Sequence, residues 1–176
     1  EFRRVLFRSE VPKERAHFRA LLALNPNYFG TLAQAPLAPV LPKAGDTTYE
    51  EIGCVGFHPQ ARRLDAVIFV KQPSGYGGDL CSKGTQECVR FYLSFDHGKS
   101  WVDQGSASCT VYDIAASATH QQRLEYAVSV PCAPPQKFCG TDNQVLARAI
   151  LSWNVCPPPG QPDWVPVWGE VRSEEH

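Results

Sequence analysis

The sequence predicts a mainly β protein. We read an antiparallel two-sheet sandwich of about seven strands, Ig-like or fibronectin-like in arrangement, behind one short N-terminal helix. Three observations carry this. Short runs with alternating apolar residues recur from Thr48 onward, as at Leu64, Ala66, Ile68 and Val70. The 176 residues include 15 Pro and 13 Gly, which punctuate the runs with turns and disfavour a helical bundle. No helical pattern separates the runs, which disfavours parallel α/β folds.

The elements follow in order. Residues 12–24 place Phe18, Leu21 and Leu22 on one helical face behind Pro12, and Asn25-Pro26 ends the pattern. Residues 25–47 carry Pro36, Pro39 and Pro42 at a spacing of three, which suits an extended connector. Domain boundaries are therefore placed at 10–47 for helix and connector and 48–171 for the sandwich. Strands are expected over 49–57, 63–70, 88–95, 100–102, 106–114, 124–130, 145–153 and 165–171. A polar loop spans 72–87, and Pro157-Pro158-Pro159-Gly160 breaks the chain before the last strand.

Composition sets bounds on function. The net charge of −1 excludes binding to nucleic acid through bulk basicity. No run of about 18 apolar residues exists, so no membrane-spanning helix is expected. The glycine-rich stretch at residues 75–79 lacks the Lys-Ser/Thr of a phosphate loop and the spacing of a dinucleotide fingerprint. It reads as a flexible surface loop, and no cofactor is assigned. Glu50, Glu51 and Asp65 supply carboxylates that the sequence does not pair for acid–base work.

One segment is sharply patterned. Residues 94–101, SFDHGKSW, match Ser-x-Asp-x-Gly-x-Ser/Thr-Trp at Ser94, Asp96, Gly98, Ser100 and Trp101. This resembles the Asp-box hairpin of sialidases and related β-propellers. The local physics is plain: Asp96 accepts hydrogen bonds inside a tight turn, Gly98 takes a positive φ, and Trp101 folds back over the hairpin. The resemblance implies a structural turn rather than a catalytic site. A sialidase site would also need several boxes and an arginine cluster, and nothing in the sequence gathers Arg90, Arg123 and Arg148. Calcium binding by Asp96 with Asp103 lacks the repeated acidic ligands of a calcium loop.

Two further resemblances concern the whole chain. Residues 25–30, 71–81, 89–96, 148–153 and 166–170 resemble an uncharacterised bacterial β-sandwich family, which implies no activity. Residues 1–9, EFRRVLFRS, and 172–176, RSEEH, resemble the in-frame translation of sequencing-adapter ends. On that reading both segments are non-native. The remainder is then a fragment, and its other domains belong to a longer parent chain.

Seven Cys is high for this length. Cys81 and Cys88, and Cys132 and Cys139, are each seven apart and would close short loops as disulfides. Free thiols remain an alternative. The spacing is too wide for a tight zinc pair, so no metal is assigned. Lone histidines such as His58, His97 and His120 have no context that selects a catalytic one.

The first functional reading is a non-catalytic interaction or carbohydrate-binding module of a larger bacterial protein. Tyr76, Trp164 and Trp168 sit among Gly and Pro and would stack on sugar rings or a protein partner. The alternatives are a fragment of a sialidase-like or other glycoside hydrolase, and a small intracellular structural domain. An extracellular or cell-surface location is read ahead of a cytoplasmic one, because disulfides need an oxidising compartment.

Overall fold

Period-2 alternation requires that each run bury one face, and two sheets must then meet. A computed structural model describes residues 43–114, 124–135 and 144–176, within the unit Val40–His176. The described residues form strands and no helix. They are β1 (Lys43–Ala44), β2 (Glu50–His58), β3 (Arg63–Val70), β4 (Thr85–Ser94), β5 (Val102–Val111), β6 (Leu124–Pro131), β7 (Leu146–Trp153) and β8 (Gly169–Glu175). One sheet has the order β1-β8-β7-β4-β5 and the other β2-β3-β6, with all strand pairs antiparallel. The expected helix at 12–24 lies outside the described residues.

The two sheets share one core. Ile52, Val55, Leu64, Ala66, Ile68, Val128 and Val130 come from the three-stranded sheet. Val89, Phe91, Leu93, Ala147, Ala149 and Leu151 come from the other. Their alternation in β3, β4, β6 and β7 matches the spacing seen in the sequence. The result is a sandwich-like pair of layers.

Three strand expectations change. The expected strands 100–102 and 106–114 are replaced by one strand, β5 (Val102–Val111), because a bulge at Phe91/Tyr92 lets pairing with β4 continue past Gly105. β4 begins at Thr85, so the polar loop is shorter than read. The last strand is Gly169–Glu175, not 165–171. Its start is set by Gly169, whose absent Cβ would lie 2.2 Å from the Leu151 carbonyl oxygen. Only glycine lets β8 approach β7 there.

Pairing also crosses the expected boundaries. Lys43–Ala44 pairs with Val171 and Glu170, ahead of Thr48. At the other end, Arg148 pairs with Ser173 and Leu146 with Glu175. Main-chain pairing depends little on which side chains a strand carries. Arg172 and Glu170 also join the layers: the Ile52 N–H donates to Glu170 Oε1, and Arg172 donates to the Ile52 carbonyl at 2.9 Å. Ile52 lies on an edge strand beside the irregularity at Gly53, so its main chain needs those partners.

The outer face of the larger sheet is covered as well. Residues 154–168 lie over it as a strap. Arg90 donates to the Pro157 carbonyl at 2.7 Å and pairs with Asp103. Tyr92 donates to the Pro158 carbonyl, and Arg148 to the Pro162 carbonyl and Asp163. Tyr92, Ile150 and Val171 form a second buried cluster, with Trp101 and Trp164 packed on it.

A disulfide fixes the strap. Cys88 bonds Cys156, with Cα atoms 5.0 Å apart. This replaces the expected Cys81–Cys88 pairing. Cys88 is buried on the strap-facing side of β4, while Cys81 is exposed and unbonded. Cys132 is buried and unbonded, and Cys139 lies outside the described residues. Closing a loop over a sequence separation of 68 stabilises by roughly 4 kcal/mol. Cys156→Ser is therefore expected to lower the unfolding free energy by that order in urea, and Cys81→Ser to leave the midpoint unchanged.

Candidate functional site

The same alternation that fills the core puts two acids in it. Glu50 shares a face of β2 with Ile52, and Glu87 shares a face of β4 with Val89. They project from opposite sheets into one end of the sandwich and are 1% and 0% exposed. Glu50 Oε1 and both Glu87 carboxyl oxygens are buried with no hydrogen-bond partner. Burial pushes the Glu87 carboxyl up to about 9, helped by the charge of Glu50. Burial likewise pushes Glu50 up to about 7, with Asp46 raising it further and Lys71 opposing.

Aromatic side chains close over this end. Trp153 is the β7 register partner of Glu87 and lies on the same face. Tyr49 meets Tyr76 edge-on at 6.2 Å and Trp168 edge-on at 5.7 Å between ring centroids. Together Tyr49, Glu50, Gly75, Tyr76, Trp153 and Trp168 line a pocket of about 180 Å³. That is small beside the several hundred Å³ of ordinary ligand pockets and leaves room for no more than a single head group.

The glycine-rich loop is pinned rather than free. Asp113 accepts from the Tyr76 N–H at 2.6 Å and the Gly78 N–H at 3.1 Å. Its own N–H donates to the Gly78 carbonyl at 2.8 Å. The Tyr76 hydroxyl donates to the Tyr49 carbonyl at 2.8 Å. Tyr76 is consequently 1% exposed, and burial pushes its phenol ionisation upward. The expectation of an exposed, stacking Tyr76 is corrected: it walls the pocket from inside.

Trp164 and Trp168 part company. Trp168 stands at the pocket mouth, with its carbonyl accepting from the Trp153 N–H. Trp164, within the strap, packs on the Tyr92 cluster. Sequence reading missed Glu87 and left Glu50 unpaired with anything. The available signal was an acid standing in phase with the core-facing residues of its strand.

The SFDHGKSW turn is self-contained. Asp96 accepts from the Ser94 hydroxyl at 2.8 Å and from the Ser100 N–H at 2.9 Å. The Gly98 N–H donates to Ser94 Oγ at 2.8 Å, and Gly98 has a φ of 83°. The Ser100 bonds hold the Asp96 carboxyl down at about 2. Trp101 lies half-buried with the Arg148 guanidinium 3.9 Å from its ring centroid. Asp103 is engaged by Arg90, Gly105 and Gly160. Arg90 and Arg148 hold the strap, and Arg123 lies outside the described residues.

The remaining chemistry is sparse. Burial, then the charge of Glu87, pushes the Cys109 thiol up to about 11, which leaves it a poor nucleophile. Among the described residues, no three His, Cys, Asp or Glu side chains group to hold a metal ion. No described helix is long and apolar enough to cross a membrane. Comparisons of the chain with protein-family models, curated proteins and solved structures found no match.

The two acids make stability depend on pH. Each has a folded value above its unfolded one, so the folded state binds more protons between them. Their contribution is full below about 4.5 and is lost as pH rises, through about 7 for Glu50 and about 9 for Glu87. The urea midpoint is expected to fall between about pH 5 and pH 9. Glu87→Gln, which cannot ionise, should flatten the upper half of that slope in a denaturation series.

Proposed function

We propose that the chain is a non-catalytic recognition module of fibronectin-like arrangement that takes one ligand group into the pocket at the sandwich end. The observation that carries this is an aromatic-walled pocket lined by Glu50, a residue whose Oε1 is buried and unpartnered. Trp168 and Tyr49 supply ring surface at its mouth, and Glu50 supplies the polar contact that fixes orientation. Tyr49 and Tyr76 are tied by hydrogen bonds and Glu50 and Trp153 lie on paired strands, so little ordering accompanies binding.

The strand order supports the finer fold reading. β2-β3-β6 faces β8-β7-β4-β5, and from β2 onward the chain changes sheet after β3, β5 and β6. That connectivity is the one expected of a fibronectin-like sandwich, with β1 added at one edge. The Asp-box reading of residues 94–101 is supported by the turn's hydrogen bonds, as a structural hairpin. The Cys88–Cys156 bond supports an oxidising compartment such as the cell exterior.

A carbohydrate is the first partner to test, because ring-bearing pockets suit sugars. A hydrolase fragment would instead need two carboxyls facing one cleft. Glu87 stands behind the lining rather than in it, which weighs against that alternative. A panel of soluble neutral and amino saccharides should be titrated by calorimetry against wild type and Trp168→Ala. Binding by at least one member, weakened about tenfold or more by the substitution with thermal stability kept, is expected. Turnover of a glycoside, or binding indifferent to Trp168, would reverse the reading.

A further inference from the structure

We propose that the end pocket takes a protonated amine, seated on Glu50 between Tyr49, Tyr76, Trp153 and Trp168. This rests on the pocket being the recognition site and names the chemistry of its ligand.

Two independent features select a cation with N–H donors. The first is the acceptor. Glu50 lines the pocket, and its Oε1 is buried with no partner. A buried acceptor left unmade is costly, and a donor arriving with the ligand removes that cost. The second is the wall. Aromatic faces attract a cation through their quadrupole, most strongly where water is excluded. Neither feature favours an anion or an acceptor-only group.

A neutral hydroxyl would satisfy the acceptor but not the charge. An ammonium does both, because it lets Glu50 ionise with its charge compensated in place. The charged and titratable groups around Glu50 are few. Tyr49 and Tyr76 line the pocket beside it, Glu87 faces it from the other sheet, and Asp46 and Lys71 act on its charge. Lys71 does not fill the role, since its ammonium sits 3.1 Å from Glu51 Oε2. Alternation points Glu51 away from Glu50.

The volume of about 180 Å³ limits the ligand to one head group. An amino sugar and a lysine side chain share that chemistry. The test titrates n-butylammonium, D-glucosamine and Nα-acetyl-lysine amide against n-butanol, D-glucose and N-acetyl-D-glucosamine. Tryptophan fluorescence and thermal shift are read on wild type and Glu50→Gln at about pH 6 and about pH 8. Amines are expected to bind about tenfold or more above their neutral counterparts. Their affinity should rise from the lower pH to the higher as Glu50 loses its proton, and Glu50→Gln should remove both the preference and the pH response while staying folded. Either amine carrier alone satisfies the proposal, and the stronger of the two identifies the source. Neutral saccharides binding as well as the amines would overturn the amine assignment and leave the recognition pocket standing. No response to any probe would overturn both.

Discussion

The Cys88–Cys156 bond and the strap it holds set the conditions for much of the rest of the molecule. A sheet in a two-layer sandwich ordinarily leaves its outer face to water. Here β4 and β7 carry Tyr92 and Ile150 on that face, beside Val171 of β8, and all three are buried. They need a lid, and residues 154–168 provide one with few strand hydrogen bonds of their own. Arg90, Tyr92 and Arg148 satisfy strap carbonyls that would otherwise be stranded over an apolar surface. The covalent bond reduces the entropy cost of laying that segment down. The strap also ends at Trp168, so the lid on one face fixes the mouth of the pocket at the end.

The pocket end carries the opposite balance. Most of the core is apolar and its strands are paired, yet Glu50 Oε1 and both Glu87 carboxyl oxygens stand between the sheets without partners. Keeping such groups buried opposes folding, and burial raises both carboxyls toward the protonated form, Glu87 further than Glu50. The surrounding structure tolerates them because Asp113 ties down the loop that carries Tyr76, and Tyr76 seals the space above. A site that opposes folding while empty can return that free energy when a complementary group enters. The arrangement separates two regions: apolar layers and the disulfide hold the fold, and the sandwich end holds the unpartnered carboxyl oxygens.

The SFDHGKSW turn shows why a strong pattern need not mark an active site. All of its defined residues serve the turn or the packing beneath it. Asp96 is saturated by Ser94 and Ser100, and Trp101 covers the outer cluster under Arg148. A carboxylate held by the donors of its own turn is poorly placed to move protons for a substrate. The less conspicuous acids, which match no pattern, are the ones left with unused hydrogen-bonding capacity.

The sequence by itself determined the class of fold and most of the strands, because alternation is a local property with a period of two. Residues 63–70 and 124–130 show this, reading as strands that β3 and β6 match to within a residue. It also determined the turn at Asp96, whose partners all lie within a few residues. What only the tertiary structure decided were the contacts between distant residues. Cys88 found Cys156 across a separation of 68 rather than its near neighbour Cys81. Trp168 and Tyr76 reached one pocket while Trp164 packed on the Tyr92 cluster of the larger sheet. Glu50 and Glu87 met because strands from two different sheets end at the same edge of the core. Local spacing tells which way a side chain points along its own strand. It does not tell what stands opposite, since that depends on how the sheets are ordered and stacked.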